Sequence, residues 1–182
     1  MMWTLAMCPP LMAQAFRATP ATITVAEGGR ENVLLIQIDD RRFSVVMPKG
    51  YGTAVRPDSE SVVFTSESGG SVITAQFTTN YPGALPKQEK LRDEVAAKNP
   101  EASLVQSTVS YTDFGPAYSF DLFRPASGGL MLHSRDAYVA YPEGSAEFTF
   151  SCDEAAFDKQ KLAFSRVLNS FRAVPKDDKK NL

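Results

Sequence analysis

The sequence predicts an α+β fold, a mainly antiparallel β-sheet flanked by helices, and three observations carry that prediction. Short runs of β-branched and aromatic residues alternate with polar ones, as in Phe43-Ser44-Val45-Val46-Met47, which ends in the turn Pro48-Lys49-Gly50. Three Gly-Gly pairs, at Gly28-Gly29, Gly69-Gly70 and Gly128-Gly129, each separate two such runs. Glycine takes the positive φ of a tight hairpin without a Cβ clash. Two helical segments interrupt the β pattern, so the order along the chain is strands, helix, strands, helix.

The first Gly-Gly pair joins residues 22–26 to 33–38, and Asp39-Asp40-Arg41 turns the chain into the strand at 43–47. Gly50-Tyr51-Gly52 has the composition of a phosphate loop, but a phosphate loop needs a helix N-terminus next, to aim N–H groups at the anion. Thr53-Ala54-Val55-Arg56-Pro57 follows instead and ends in a helix breaker, so the segment reads as a turn. The second pair joins 61–66 to 72–77. Pro86 suits a first helical position, residues 87–98 are rich in helix formers, and Asn99-Pro100 supplies the stop. The apolar stripe of this helix is thin, mainly Leu91 and Val95, so one side is expected on a sheet and the rest in water.

The third pair joins 117–124 to 130–140, and Pro142-Glu143-Gly144 leads into 146–152. The last helix is expected after Ser151, whose spacing to Glu154 fits a capping box. Phe157, Phe164, Leu168 and Phe171 then recur at helical intervals. Burying each contributes about 1.5–3 kcal/mol, which makes this helix the expected main cover of the core.

The chain has 182 residues, 43% hydrophobic and including 12 phenylalanines, enough for one core, and neither a repeat nor a linker divides it. Its net charge of −2 offers no basic field for nucleic acid, and no uninterrupted apolar run of about 18 residues is present to span a membrane. Residues 1–12 (MMWTLAMCPPLM) are apolar and uncharged, and Ala13-Gln14-Ala15 has the small-x-small form of an export cleavage site. The basic n-region is absent, as it would be if the true start lay upstream. The expected division is a signal peptide at 1–15, an extension or extra hairpin at 16–39, the domain at 40–174 and a solvated tail at 175–182. The expected location is periplasmic or secreted. Leu5-Ala6-Met7-Cys8 approaches a lipoprotein box, but Met7 is too bulky for its position. Once Cys8 is removed, Cys152 is the only cysteine and no disulfide can form within the mature chain. Cys152 alternates with Phe148 and Phe150 on one strand face and reads as a small buried hydrophobe.

Reactive chemistry is sparse. His133 is the only histidine, so multi-histidine metal sites are excluded within one chain. On a strand His133 and Arg135 share one face while Ser134 and Asp136 share the other, so the local Ser-His-Asp run is not a triad. The acidic pairs Asp39-Asp40, Asp153-Glu154 and Asp177-Asp178 are adjacent, unlike the alternating ligands of a calcium loop. No catalytic, metal or cofactor residue is assigned, and no cofactor is expected. Tyr111, Phe114, Tyr118, Tyr138 and Tyr141 crowd the later strands, and residues 79–87 read as an ordered loop. Tyr81, Tyr118, Tyr138 and Tyr141 form the expected binding surface, because tyrosine offers contact area with little entropy to lose.

Five of these features together resemble the PsbP/DcrB-like family. They are the opening Phe43 to Gly50 (Phe-Ser-Val-x-x-Pro, then glycine), a midchain helix, the strand Pro116-Ala117-Tyr118-Ser119-Phe120-Asp121-Leu122, the run Tyr138-Val139-Ala140-Tyr141 and a closing Ser170-Phe171. The resemblance covers residues 40–173 and implies a PsbP-like α/β/α sandwich. The matched positions are core and turn residues, so no site residue carries over. The implied function is a non-catalytic accessory or binding protein of the cell envelope with another protein as partner. The alternatives are a chaperone-like module shielding apolar segments of a secreted client, which needs an open apolar groove, and a carboxylate-dependent hydrolase.

Overall fold

Glycine-centred turns and alternating strands build two antiparallel sheets in the computed structural model, which describes residues 16–24, 29–79 and 83–175. The strands are β1 (Phe16–Thr24), β2 (Arg30–Ile38), β3 (Arg41–Val46), β4 (Tyr51–Arg56), β5 (Ser61–Ser66), β6 (Ser71–Thr79), β7 (Ser103–Thr112), β8 (Gly115–Pro125), β9 (Met131–Tyr141), β10 (Gly144–Asp153) and β11 (Arg172–Ala173). The helices are α1 (Gln88–Lys98) and α2 (Phe157–Asn169). One sheet runs β1-β2-β3-β11 and the other β4-β5-β6-β10-β9-β8-β7. The segment ahead of residue 40 is therefore a paired hairpin, with Phe16, Leu34, Ile36 and Ile38 in the core.

Each face of the larger sheet has its own cover. One face carries Phe64, Ile73, Phe77, Phe148 and Phe150, packed against the smaller sheet and α2. The other buries Phe120, Leu122 and Tyr138 under Leu91 and Val95 of α1. Phe164 and Leu168 are buried, so the amphipathic stripe of α2 does cover the core.

Four local expectations need correction. Gly50 takes φ +77 and ends its turn there, and Tyr51 already begins strand β4, paired with β5. Ser151 pairs with Ser134 and Val72 in mid-ladder, so its hydroxyl is not at the helix mouth and no capping box forms. The chain makes a 3₁₀ turn at Glu154–Ala156 before α2 starts. Pro86 stands ahead of the cap residue Lys87, outside the first turn of α1. Phe171 lies past the end of α2 yet is fully buried. Ser170 makes that exit rigid: its hydroxyl donates to Val167 O and accepts from the Val46 N–H, both at 2.8 Å. Gly144 is required for space, since a Cβ there would fall within the Tyr141 ring.

Candidate functional site

The β8–β9 register gathers the charged side chains. Asp121 stands opposite Arg135, one residue from the pair Phe120 and Asp136, so the two carboxylates point to opposite faces. On the α2 face, Arg135 donates to both oxygens of Asp121, from Nε at 2.5 Å and from Nη2 at 2.7 Å. His133 lies next on the same face. Its Nε2 is 3.9 Å from Asp121 Oδ2, and its ring stacks on Phe157 at 3.4 Å with Phe123 at 4.5 Å. Around them is a cleft of about 300 Å³ that also presents Gln106, Glu154, Asp158 and Lys161. Ser134 and Asp136 are buried on the far face, as strand periodicity requires.

Two carboxylates of the cleft are ion-paired, Asp121 with Arg135 and Asp158 with Lys161. Burial lowers the pKa of His133 against the opposing pull of Asp121, which favours the neutral imidazole. The Arg135 guanidinium occupies both Asp121 oxygens. Cys152 stands opposite His133 in the β10–β9 register, giving a Cys-His-Asp order across three strands. Its thiol, however, is pushed up to about 11 by burial, whereas a catalytic cysteine needs the opposite shift. Among the described residues, no three His, Cys, Asp or Glu side chains are placed to hold a metal ion.

On the α1 face Asp136 accepts from Arg124 Nη2 at 2.5 Å, but its Oδ1 is buried without a hydrogen-bond partner. Desolvation outweighs the half-open Arg124 and raises the pKa of Asp136 to about 6 from 3.8. The fold therefore takes up a proton between these values. This group's contribution to stability is largest at low pH and falls as pH rises through about 6, by on the order of 2–3 kcal/mol. Urea unfolding of wild type and Asp136→Asn across that range is expected to show the falling component only in wild type. Parallel profiles would contradict the assignment.

The four expected tyrosines do not form one accessible surface. Tyr81 lies outside the described residues. Tyr138 is 7% exposed under α1 and donates to Glu147 Oε1 at 3.1 Å. Tyr141 is 2% exposed on the opposite face and donates to Thr78 O at 3.2 Å. Burial raises both phenols, Tyr141 to about 12. Their separation of three residues is odd, which on a strand puts them on opposite faces. Tyr118 is half-buried against the α1 cluster.

Two other regions are accessible. Strand β7 is an edge of the larger sheet, carries no charged residue, and exposes Val105 (56%), Val109 (43%) and Tyr111 (74%). The uncharged run at 103–112 was the available sequence signal. The second region is an open trough of about 920 Å³ between the β1–β2 hairpin and α2, bordered by Pro20, Arg30, Met47, Lys49, Leu162 and Arg166.

No protein-family model and no curated protein sequence matches the chain. Solved structures match its fold. LpqN of Mycobacterium tuberculosis, described as involved in cell envelope biogenesis, superposes with a TM-score of 0.57 at 8% identity, over 88% of this chain and 92% of that one. The cyanobacterial PsbP protein of Synechocystis sp. PCC 6803 gives 0.55 at 12% identity, over 93% and 99%. The Ran-binding protein Mog1p of Saccharomyces cerevisiae gives 0.54 at 10% identity, over 87% and 97%. The fold is thus PsbP-like, an α+β sandwich of mostly antiparallel strands with two helices.

Proposed function

We propose that this PsbP-like chain is a non-catalytic accessory protein of the cell envelope that binds another protein. The observation that carries the reading is the β7 edge. An edge strand presents unpaired N–H and C=O groups, and natural edges are usually blunted with lysine or proline. Strand β7 has neither; a bulge between Leu104 and Gln106 interrupts only its first part. Main-chain pairing along such an edge, with side-chain contacts at Val109 and Tyr111, is the physics of strand addition. Leu130 and Met131, exposed at the β8–β9 turn, add apolar surface at the end of the sheet where β7 begins.

The envelope part of the reading is supported by the export-like residues 1–15 and by the likeness to LpqN. Among the described residues no helix is long and apolar enough to cross a membrane. The non-catalytic part is supported by the pairing of the Asp121 carboxylate with Arg135 and by the buried Cys152 thiol, whose pKa is pushed up to about 11. The chaperone-like alternative fits less well, because three cations, Arg30, Lys49 and Arg166, stand among the apolar residues of the trough.

The test uses Val109→Lys with Tyr111→Lys, both at exposed positions. Partners captured by wild type from envelope extract are identified and purified, and their affinity is measured for both proteins. The double variant is expected to bind at least about tenfold more weakly, given roughly 1 kcal/mol or more for each anchor. Equal affinity, or substrate turnover by the pure protein, would sink the proposal.

A further inference from the structure

The trough exists because the β1–β2 hairpin is longer than the core it covers. Leu34 is buried, but Asn32 and Arg30 follow it on the same strand face beyond the packed region, and Pro20 and Thr22 stand opposite Leu34 and Asn32. Thr22 donates to Asn32 Oδ1 at 3.2 Å across the overhang. The facing wall is α2, where Leu162 and Arg166 stand one turn apart. Leu162 is 67% exposed on this wall.

Three cations, Arg30, Lys49 and Arg166, border this trough, and among the described residues none has an ion-pair partner. Glu31 is the one carboxylate in the lining. The whole chain carries a net charge of −2, so the local excess runs against the overall sign. We infer that the trough binds an acidic segment of a partner protein, seating an apolar side chain against Leu162 and Met47. Charge complementarity selects the acidic groups, and the exposed leucine selects the apolar one. A peptide fits better than a lipid chain, because the trough is open along one side whereas acyl chains and small ligands are mostly enclosed by their sites. This second surface stands apart from the β7 edge and does not depend on it.

The test is fluorescence anisotropy of the full chain with a short labelled peptide of alternating glutamate and leucine. Wild type is expected to bind it, more weakly as salt rises. Arg30→Glu with Arg166→Glu is expected to weaken binding about tenfold, at up to roughly 1 kcal/mol per exposed pair, and to gain affinity for the lysine–leucine counterpart. Lys49→Glu is a second, independent reversal with the same sign, and Leu162→Ala should weaken binding several-fold without changing its salt dependence. The Val109→Lys, Tyr111→Lys protein should bind the peptide as wild type does, which separates this inference from the proposed function. Absence of peptide binding, charge-reversed proteins that bind as wild type, or binding only to phosphatidylglycerol vesicles would each overturn it.

Discussion

Phe171→Ala is expected to lower folding stability by about 3–5 kcal/mol, measured as the shift in urea unfolding free energy. The ring is fully buried and meets Phe114 at 4.9 Å, Phe43 and Phe148 at 5.4 Å, Phe77 at 5.9 Å and Tyr141 at 6.2 Å. These neighbours come from both sheets and from the β7–β8 turn. Loss of the ring therefore opens a cavity at the point where the layers meet, and the rigid exit through Ser170 limits collapse into it. Domains are stable by only about 5–15 kcal/mol, so this single change would bring the chain near its unfolding limit. A loss below about 1 kcal/mol would show that the layers are not joined through this ring.

The second large effect is expected at Arg135. Arg135→Met should cost about 3–5 kcal/mol, because it leaves the Asp121 carboxylate buried without its cation. The Asp121 side chain is 6% exposed and stands opposite Gln106 on β7, with His133 and Phe123 beside it in the cleft. Replacing both partners, Asp121→Leu with Arg135→Met, should restore most of the loss, since a well-packed apolar pair avoids the desolvation cost altogether. If the double variant is as unstable as the single one, the pair has a role beyond mutual neutralisation. That result would reopen the cleft as a functional site.

Much of this architecture was legible in the residues. The Gly69-Gly70 and Gly128-Gly129 turns, the thin stripe of Leu91 and Val95 and the heavy stripe of Phe157, Phe164 and Leu168 all appear where expected. So does the division of His133 and Arg135 from Ser134 and Asp136. The same parity argument, applied to Tyr138 and Tyr141, would have separated them as well.

What was legible depends on periods of two and 3.6 residues and on turn chemistry, which are properties of neighbours in the chain. Asp121 meets Arg135 because β8 and β9 settle in one register among several, and no local period sets that choice. Strands β4 and β7 escaped notice for a related reason. As edges they bury little, so their residues show no apolar rhythm until a partner strand defines them. Phe171 looked like one more helix residue, and its place among five rings comes from layers distant in sequence closing on the point where α2 ends. The trough, too, follows from a hairpin overrunning its core, a mismatch of lengths that appears only once both sheets are packed.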